Sequence, residues 1–247
     1  MNIAKEPARG IYLLPNLLTT AALFAGFYAI IQTLKGHLEI ASIAIFIAMI
    51  ADNLDGRVAR LTNTQTAFGA EYDSLSDMVS FGIAPAFLGF KWGLSLLGNF
   101  GWFVAFLYVA AAALRLARFN TQLGIADKRY FQGIPSPPAA AMVVGFVWVA
   151  ADNGWAISHW LASIFAVLVI FSALLMVSRV RYSSFKQLNW HERVPFVSLL
   201  LVVLLVAFVS LNTSAVLFIL SLIFGFSGPV MTLWRLRQRR LERKKKA

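Results

Sequence analysis

The sequence contains no cysteine, which excludes disulfides, thiolate catalysis and cysteine-ligated metals. Its three histidines, His37, His159 and His191, stand far apart with no ligand spacing, and read as solvated loop residues. Charge is scarce. Only 13% of the 247 residues are charged, against about 25% in soluble chains. Hydrophobic residues make up 59%, the mean hydropathy is +0.72, and the apolar residues gather in long runs. The class these features allow is an all-helical, polytopic membrane protein.

A membrane-crossing helix needs about 20 apolar residues. Spans are expected near 14–34, 38–56, 74–92, 94–114, 137–152, 156–178, 194–211 and 213–233. The fifth is short and opens on Pro137-Pro138, which suits a helix start and not an interior. Lys5 and Arg9 before the first span mimic a signal peptide, but the apolar stretch exceeds the usual length, so a retained helix is expected. Eight spans put both termini on one side. With the termini inside, 20 of the 22 basic residues fall on inner segments, leaving Lys35 and Lys91 outside. That asymmetry fits the rule that lysine and arginine gather on the cytoplasmic side. One domain over 1–247 is expected, with a core at about 13–180, two further spans at about 194–233 and a basic tail at 235–247.

The formal charge of +11 does not point to nucleic acid. Eight basic residues lie between Arg235 and Lys246, directly after an apolar run and without interleaved aromatics for base stacking. This reads either as an anchor for anionic lipid head groups or as a plain topology signal.

Acidic residues are few, yet five of the eleven fall within 26 positions: Asp52, Asp55, Glu71, Asp73 and Asp77. Ionised groups near lipid are costly, so such a cluster marks a functional site. Asp52 and Asp55 are three apart and Asp73 and Asp77 four apart, spacings that stack each pair on one helix face. The two spans run antiparallel across the short polar loop from Leu61 to Phe68, so the pairs can face each other at the cytoplasmic rim. Gly56 and Gly69 remove side chains where a ligand or backbone approaches. Arg57 and Arg60 add positive charge suited to phosphate. Oxygen-only ligands select hard cations: magnesium, manganese or calcium. Two such ions are a recurring device for phosphoryl transfer, which predicts a substrate with a lipid tail and a pyrophosphate. Two other readings compete. A cation-coupled transporter explains carboxylates in a membrane but not their place at one rim. Interhelical ion pairing is weak, since four aspartates outnumber two arginines.

The arrangement Asp52-x-x-Asp55-Gly56-x-x-Ala59-Arg60, eight residues, then Gly69-x-x-x-Asp73-x-x-x-Asp77 resembles the signature of the CDP-alcohol phosphatidyltransferases at all eight fixed positions. Longer stretches are similar to the phosphatidylserine synthase branch of that family: Phe68 to Ala86, Leu14-Pro15-Asn16-Leu17-Leu18-Thr19, Arg115-Leu116-Ala117-Arg118-Phe119-Asn120 and Gly133-Ile134-Pro135-Ser136-Pro137. The resemblance implies that Asp52, Asp55, Asp73 and Asp77 bind two divalent ions, Mg²⁺ or Mn²⁺, with Ca²⁺ as a structural occupant. It implies Asp77 as general base, and Asp52, Gly56, Ala59, Arg60 and Gly69 at the CDP group. It also implies CDP-diacylglycerol and L-serine as substrates, CMP as a product, a homodimer, and a plasma (inner) membrane location with the site at the cytoplasmic face. Another acceptor, glycerol 3-phosphate or an inositol phosphate, would keep the same chemistry.

Arg115, Arg118 and Asn120 sit where the fourth span meets the cytoplasm. Either arginine could fork onto the serine carboxylate or the lipid phosphate, or both could merely set topology. Ser136, between two prolines, is a similar candidate, with helix capping as its plainer role.

Overall fold

In hydrocarbon, a single apolar stretch satisfies its own backbone by coiling into a helix, and the described residues follow that rule almost throughout. The computed structural model describes residues 13–122, 130–178, 180–183 and 212–246. In chain order these form α1 (Leu13–Leu34), α2 (Leu38–Leu61), α3 (Ala67–Asp77), a π-helical segment (Met78–Ile83), α4 (Ala84–Trp92), a 3-10 turn (Leu94–Leu97) and α5 (Asn99–Gln122). After them come β1 (Tyr130–Gln132), α6 (Ser136–Asp152), α7 (His159–Val177), β2 (Arg181–Ser183) and α8 (Thr213–Lys246).

Among the described residues, four helices are long and apolar enough to cross a membrane, at Leu14–Leu34, Asn99–Thr121, His159–Val177 and Thr213–Thr232. The span expected at 194–211 lies outside the described residues. The all-helical expectation needs one amendment: β1 and β2 pair antiparallel, Tyr130 opposite Ser183 and Gln132 opposite Arg181. The last helix also runs past its expected end at 233, through the basic tail to Lys246.

The frame is built on small residues. Ala22, Ala25 and Ala29 of α1 and Ala41, Ala44 and Ala48 of α2 are all buried, and these two helices share the most extensive contact among the described residues. Without a hydrophobic driving force between helices in lipid, close approach over small side chains supplies the dispersion energy. At the centre lies α6. Ala139, Ala140, Met142, Val143, Val144 and Val147 have no exposed surface, as expected of a helix apolar on all sides. It packs against α2, α4, α7 and α8. Outward-facing Phe24, Ile50, Leu114, Val167 and Ile223 form the greasy exterior.

The span expected at 74–92 is not one α-helix. It begins at Ala67 and is interrupted by the π-helical segment directly after Asp77. Pro85 is the cause: it has no N–H for the carbonyl four residues earlier, that of Phe81. The buried hydroxyl of Tyr108 donates to that carbonyl instead, at 3.0 Å. Ser80, inside the widened turn, donates to the Ala22 carbonyl of α1 at 3.0 Å.

Gly26 makes this junction possible. A Cβ there would collide with the Ser80 hydroxyl and stand 2.7 Å from the Ser80 Cα. Gly26→Ala is therefore expected to destabilise the protein by about 1 to 3 kcal/mol, read as a lowered unfolding midpoint in detergent. Gly93→Ala is the control, since its Cβ would meet nothing nearer than Ile157 at 3.6 Å. Equal losses in the two variants would disprove the account of the α1 junction.

Candidate active site

Two helix ends deliver the aspartates. Asp52 and Asp55 ride on the last turns of α2, which stops at Leu61. Asn63 takes the left-handed conformation (φ 52°), and Thr66 caps α3 by accepting the Gly69 N–H at 3.0 Å. That tight reversal sets Asp73 and Asp77 beside the first pair. One carboxylate oxygen each from Asp52, Asp55 and Asp73 lies within 4.8 Å of the others. Asp77 joins at the edge, with its carboxyl within hydrogen-bond reach of Asp52.

Each member is held from outside the pair. Asp55, 5% exposed, accepts the Thr19 hydroxyl at 2.6 Å. Ser76, next to Asp77, donates to the Thr19 carbonyl at 3.1 Å, so α1 anchors both halves of the cluster. Arg115 of α5 is the cation facing Asp77, Asp52 and Asp73. Its Nη1 donates to the Ser136 hydroxyl at 2.5 Å, and Ser136 donates to Asp77 Oδ2 at 3.3 Å. Phe119 lies under the guanidinium, 5.7 Å from ring centre to Cζ.

Burial, and then the charges of Asp55 and Asp52, push the Asp73 carboxyl up to about 7, with Arg115 opposing. Both causes disfavour the ionised form. A hard cation removes them together, because it neutralises the charge and takes the place of lost water. The donor set fits such an ion: oxygen only, three carboxylates converging, no histidine or cysteine among them.

The other residues singled out by sequence separate into two groups. Arg60 bends back over Gly56, where an added Cβ would lie 3.5 Å from its Nη1, and its charge acts on Asp55. Ala59 is half-buried on the same turns. Gly69 faces Asn16 of α1, whose Oδ1 would be 3.5 Å from a Cβ. These residues surround the aspartates. Arg57 does not: it is exposed and lines a groove of about 370 Å³ with Asn53 and Leu217. Arg118 donates to the carbonyls of Val177 and Ser178 at the end of α7, at 3.3 and 3.4 Å. Asn120 ties α5 to α3, accepting from Ser74 and donating to Glu71, each at 3.1 Å. Glu71 is exposed and stands apart from the converging triad. Sequence reasoning assigned Thr19 no role. Its one signal was membership of the Leu14-to-Thr19 stretch.

Comparison with known proteins agrees with this geometry. The sequence profile described as CDP-alcohol phosphatidyltransferase matches residues 12–171. A Helicobacter pylori protein named CDP-diacylglycerol–serine O-phosphatidyltransferase is 37% identical over 223 residues, covering 89% of this chain and 92% of its own. Proteins of the same name from Mycobacterium tuberculosis (36% over 184 residues, 70% of this chain and 62% of that one) and Methanocaldococcus jannaschii (40% over 144 residues, 57% and 62%) are also similar. With its eight-position aspartate motif folded into one convergent site, the chain belongs to the CDP-alcohol phosphatidyltransferase family.

Proposed function

We propose that this enzyme transfers the phosphatidyl group of CDP-diacylglycerol to L-serine, giving phosphatidylserine and CMP. The observation that carries the reading is the convergence of Asp52, Asp55 and Asp73 within 4.8 Å, with Asp77 at their edge. The names of the similar proteins support serine as acceptor. Family membership sets aside the cation-coupled transporter.

The serine hydroxyl oxygen forms a bond to the phosphorus that bears diacylglycerol. The bond from that phosphorus to the bridging oxygen breaks, its electron pair leaves with CMP, and the hydroxyl proton passes to Asp77. A positioned base is worth about 100- to 10,000-fold in such a step. Asp52, Asp55, Asp73 and Asp77 would hold two divalent cations, Mg²⁺ or Mn²⁺, which when bound supply charge neutralisation at the diphosphate. Asp52, Gly56, Ala59, Arg60 and Gly69 shape the CDP side. Arg115, Arg118, Asn120 and Ser136 belong to the wall from which the acceptor arrives.

The same reading takes the chain as a single domain and a homodimer with eight spans in the plasma (inner) membrane. Both termini and the active site are cytoplasmic, and the basic extension of α8 lies among anionic head groups.

Three measurements test this. Purified protein with CDP-diacylglycerol should release CMP with serine and not with glycerol 3-phosphate or an inositol phosphate. Asp77→Asn should lower that rate by about 100-fold or more; release with a different acceptor alone would transfer the mechanism and refute serine. For the cation site, ligation needs ionised carboxylates, so Mn²⁺ affinity should fall as pH drops below about 7, by about tenfold per unit for each proton displaced. An affinity flat from pH 8 to pH 6 would count against Asp73 as a ligand. For topology, the absence of native cysteine gives a clean background for single-cysteine labelling. Cysteines at Lys35 and Lys91 should react from outside sealed cells, and one at Thr62 should react only after permeabilisation; the reverse pattern would invert the proposed orientation.

A further inference from the structure

Ser136 has no exposed surface and stands between Arg115, the cation facing Asp77, Asp52 and Asp73, and the aspartate proposed as base. A serine hydroxyl carries a single proton. Arg115, an obligatory donor, occupies the hydroxyl oxygen at 2.5 Å, so the Ser136 proton must be directed elsewhere. The acceptor in reach is Asp77 Oδ2, at 3.3 Å. The hydroxyl therefore has one allowed polarity, donating toward Asp77.

The mount is rigid. Ser136 opens α6, with extended Pro135 as its cap and a proline in the first turn. Gly133 takes a positive φ of 79°, and a Cβ there would strike the Met176 carbonyl. Its N–H donates to the Val180 carbonyl at 2.8 Å, and the Ile134 N–H donates to the Leu175 carbonyl at 3.1 Å. The β1–β2 ribbon closes the same connection. The stretch from Gly133 to Ser136 is thus clamped between the end of α7 and the buried body of α6.

We propose that Ser136 is a positioning residue: polarised by Arg115, its hydroxyl fixes the orientation of the Asp77 carboxylate toward the acceptor. The proposal rests on the assignment of Asp77 as base. It gives Ser136 a different task from gripping serine, because the Ser136 hydroxyl has both its oxygen and its proton engaged within the protein. Groups that orient a reacting residue commonly change activity by about 10- to 100-fold when removed.

The test uses the full chain in lipid nanodiscs, with serine kinetics and Mn²⁺ titration run on the parent, Ser136→Ala and Ser136→Thr. At saturating Mn²⁺, Ser136→Ala should lower kcat by about 10- to 100-fold, with the serine KM held within about threefold. Ser136→Thr, which keeps the hydroxyl, should recover most of kcat. A raised serine KM at unchanged kcat would overturn the proposal in favour of acceptor binding. A kcat loss that excess Mn²⁺ restores would overturn it in favour of a cation-site role. Should Ser136→Ala fail to fold, Ser136→Cys takes its place and must show the same split between kcat and KM. A parent enzyme inactive toward serine refutes the acceptor reading instead, and the same kinetics are then run with whichever alcohol releases CMP.

Discussion

Like charges gathered at the edge of hydrocarbon set the terms for the rest of this molecule. Two charged carboxylate oxygens within 4.8 Å of each other repel by at least about 3 kcal/mol at the effective dielectric of a protein surface, and by about 1 kcal/mol in water. Asp52, Asp55 and Asp73 form three such pairs, with Asp77 beside them. Arg115 and, at Asp55, Arg60 bring two positive charges, which cannot balance four carboxylates. Left alone, the cluster must take up protons, as the raised Asp73 carboxyl shows, or open apart. A site held against opening can exchange those protons for cations.

Resistance comes from where each restraint originates. Thr19 reaches Asp55 from α1, Arg115 reaches across from α5, and Ser136 comes from α6. No single helix movement releases all of them. The α1–α2 alanine seam keeps Thr19 at its station. The π-helical segment fixes α3 against α1 through Ser76 and Ser80. Because α6 is buried on every side, its first residue inherits the rigidity of the core. Packing far from the aspartates therefore does the electrostatic work of holding them together.

Local rules were legible before any coordinates. The three- and four-residue spacings foretold that each aspartate pair shares a face, and the short polar reversal foretold that the pairs would meet. Oxygen-only chemistry followed from the missing cysteine and the scattered histidines. Long-range consequences were not legible. Pro85 was visible inside the expected 74–92 span, but its effect depends on Tyr108, a hydroxyl 27 residues from Phe81. Strands of three residues carry no periodicity to read, so the ribbon joining Tyr130 to Ser183 left no trace. Arg115 and Arg118 were equivalent in sequence; helix rotation sends one toward the cluster and the other toward the α7 carbonyls. Thr19 looked like a threonine bonding back to its own helix. The Pro15 carbonyl is within reach at 3.1 Å, but the single proton has the shorter path to Asp55, at 2.6 Å.

The two sides of the site are built from different elements, and this limits what each stretch of sequence can say. All eight motif positions lie on α2 and α3, the side proposed to take the diphosphate. The wall opposite comes from the end of α5 and the start of α6, joined through Arg115 and Ser136. A motif confined to α2 and α3 therefore speaks for the phosphate chemistry and is silent about the alcohol. Similarity that runs over 223 residues takes in both walls, which is why it bears on the acceptor where the motif cannot. The point of contact between the walls is Asp77, bonded to Ser136 on one side and reaching Asp52 on the other. The proposed base there would serve both the arriving alcohol and the diphosphate that is cleaved, and a shift of either wall would change its aim.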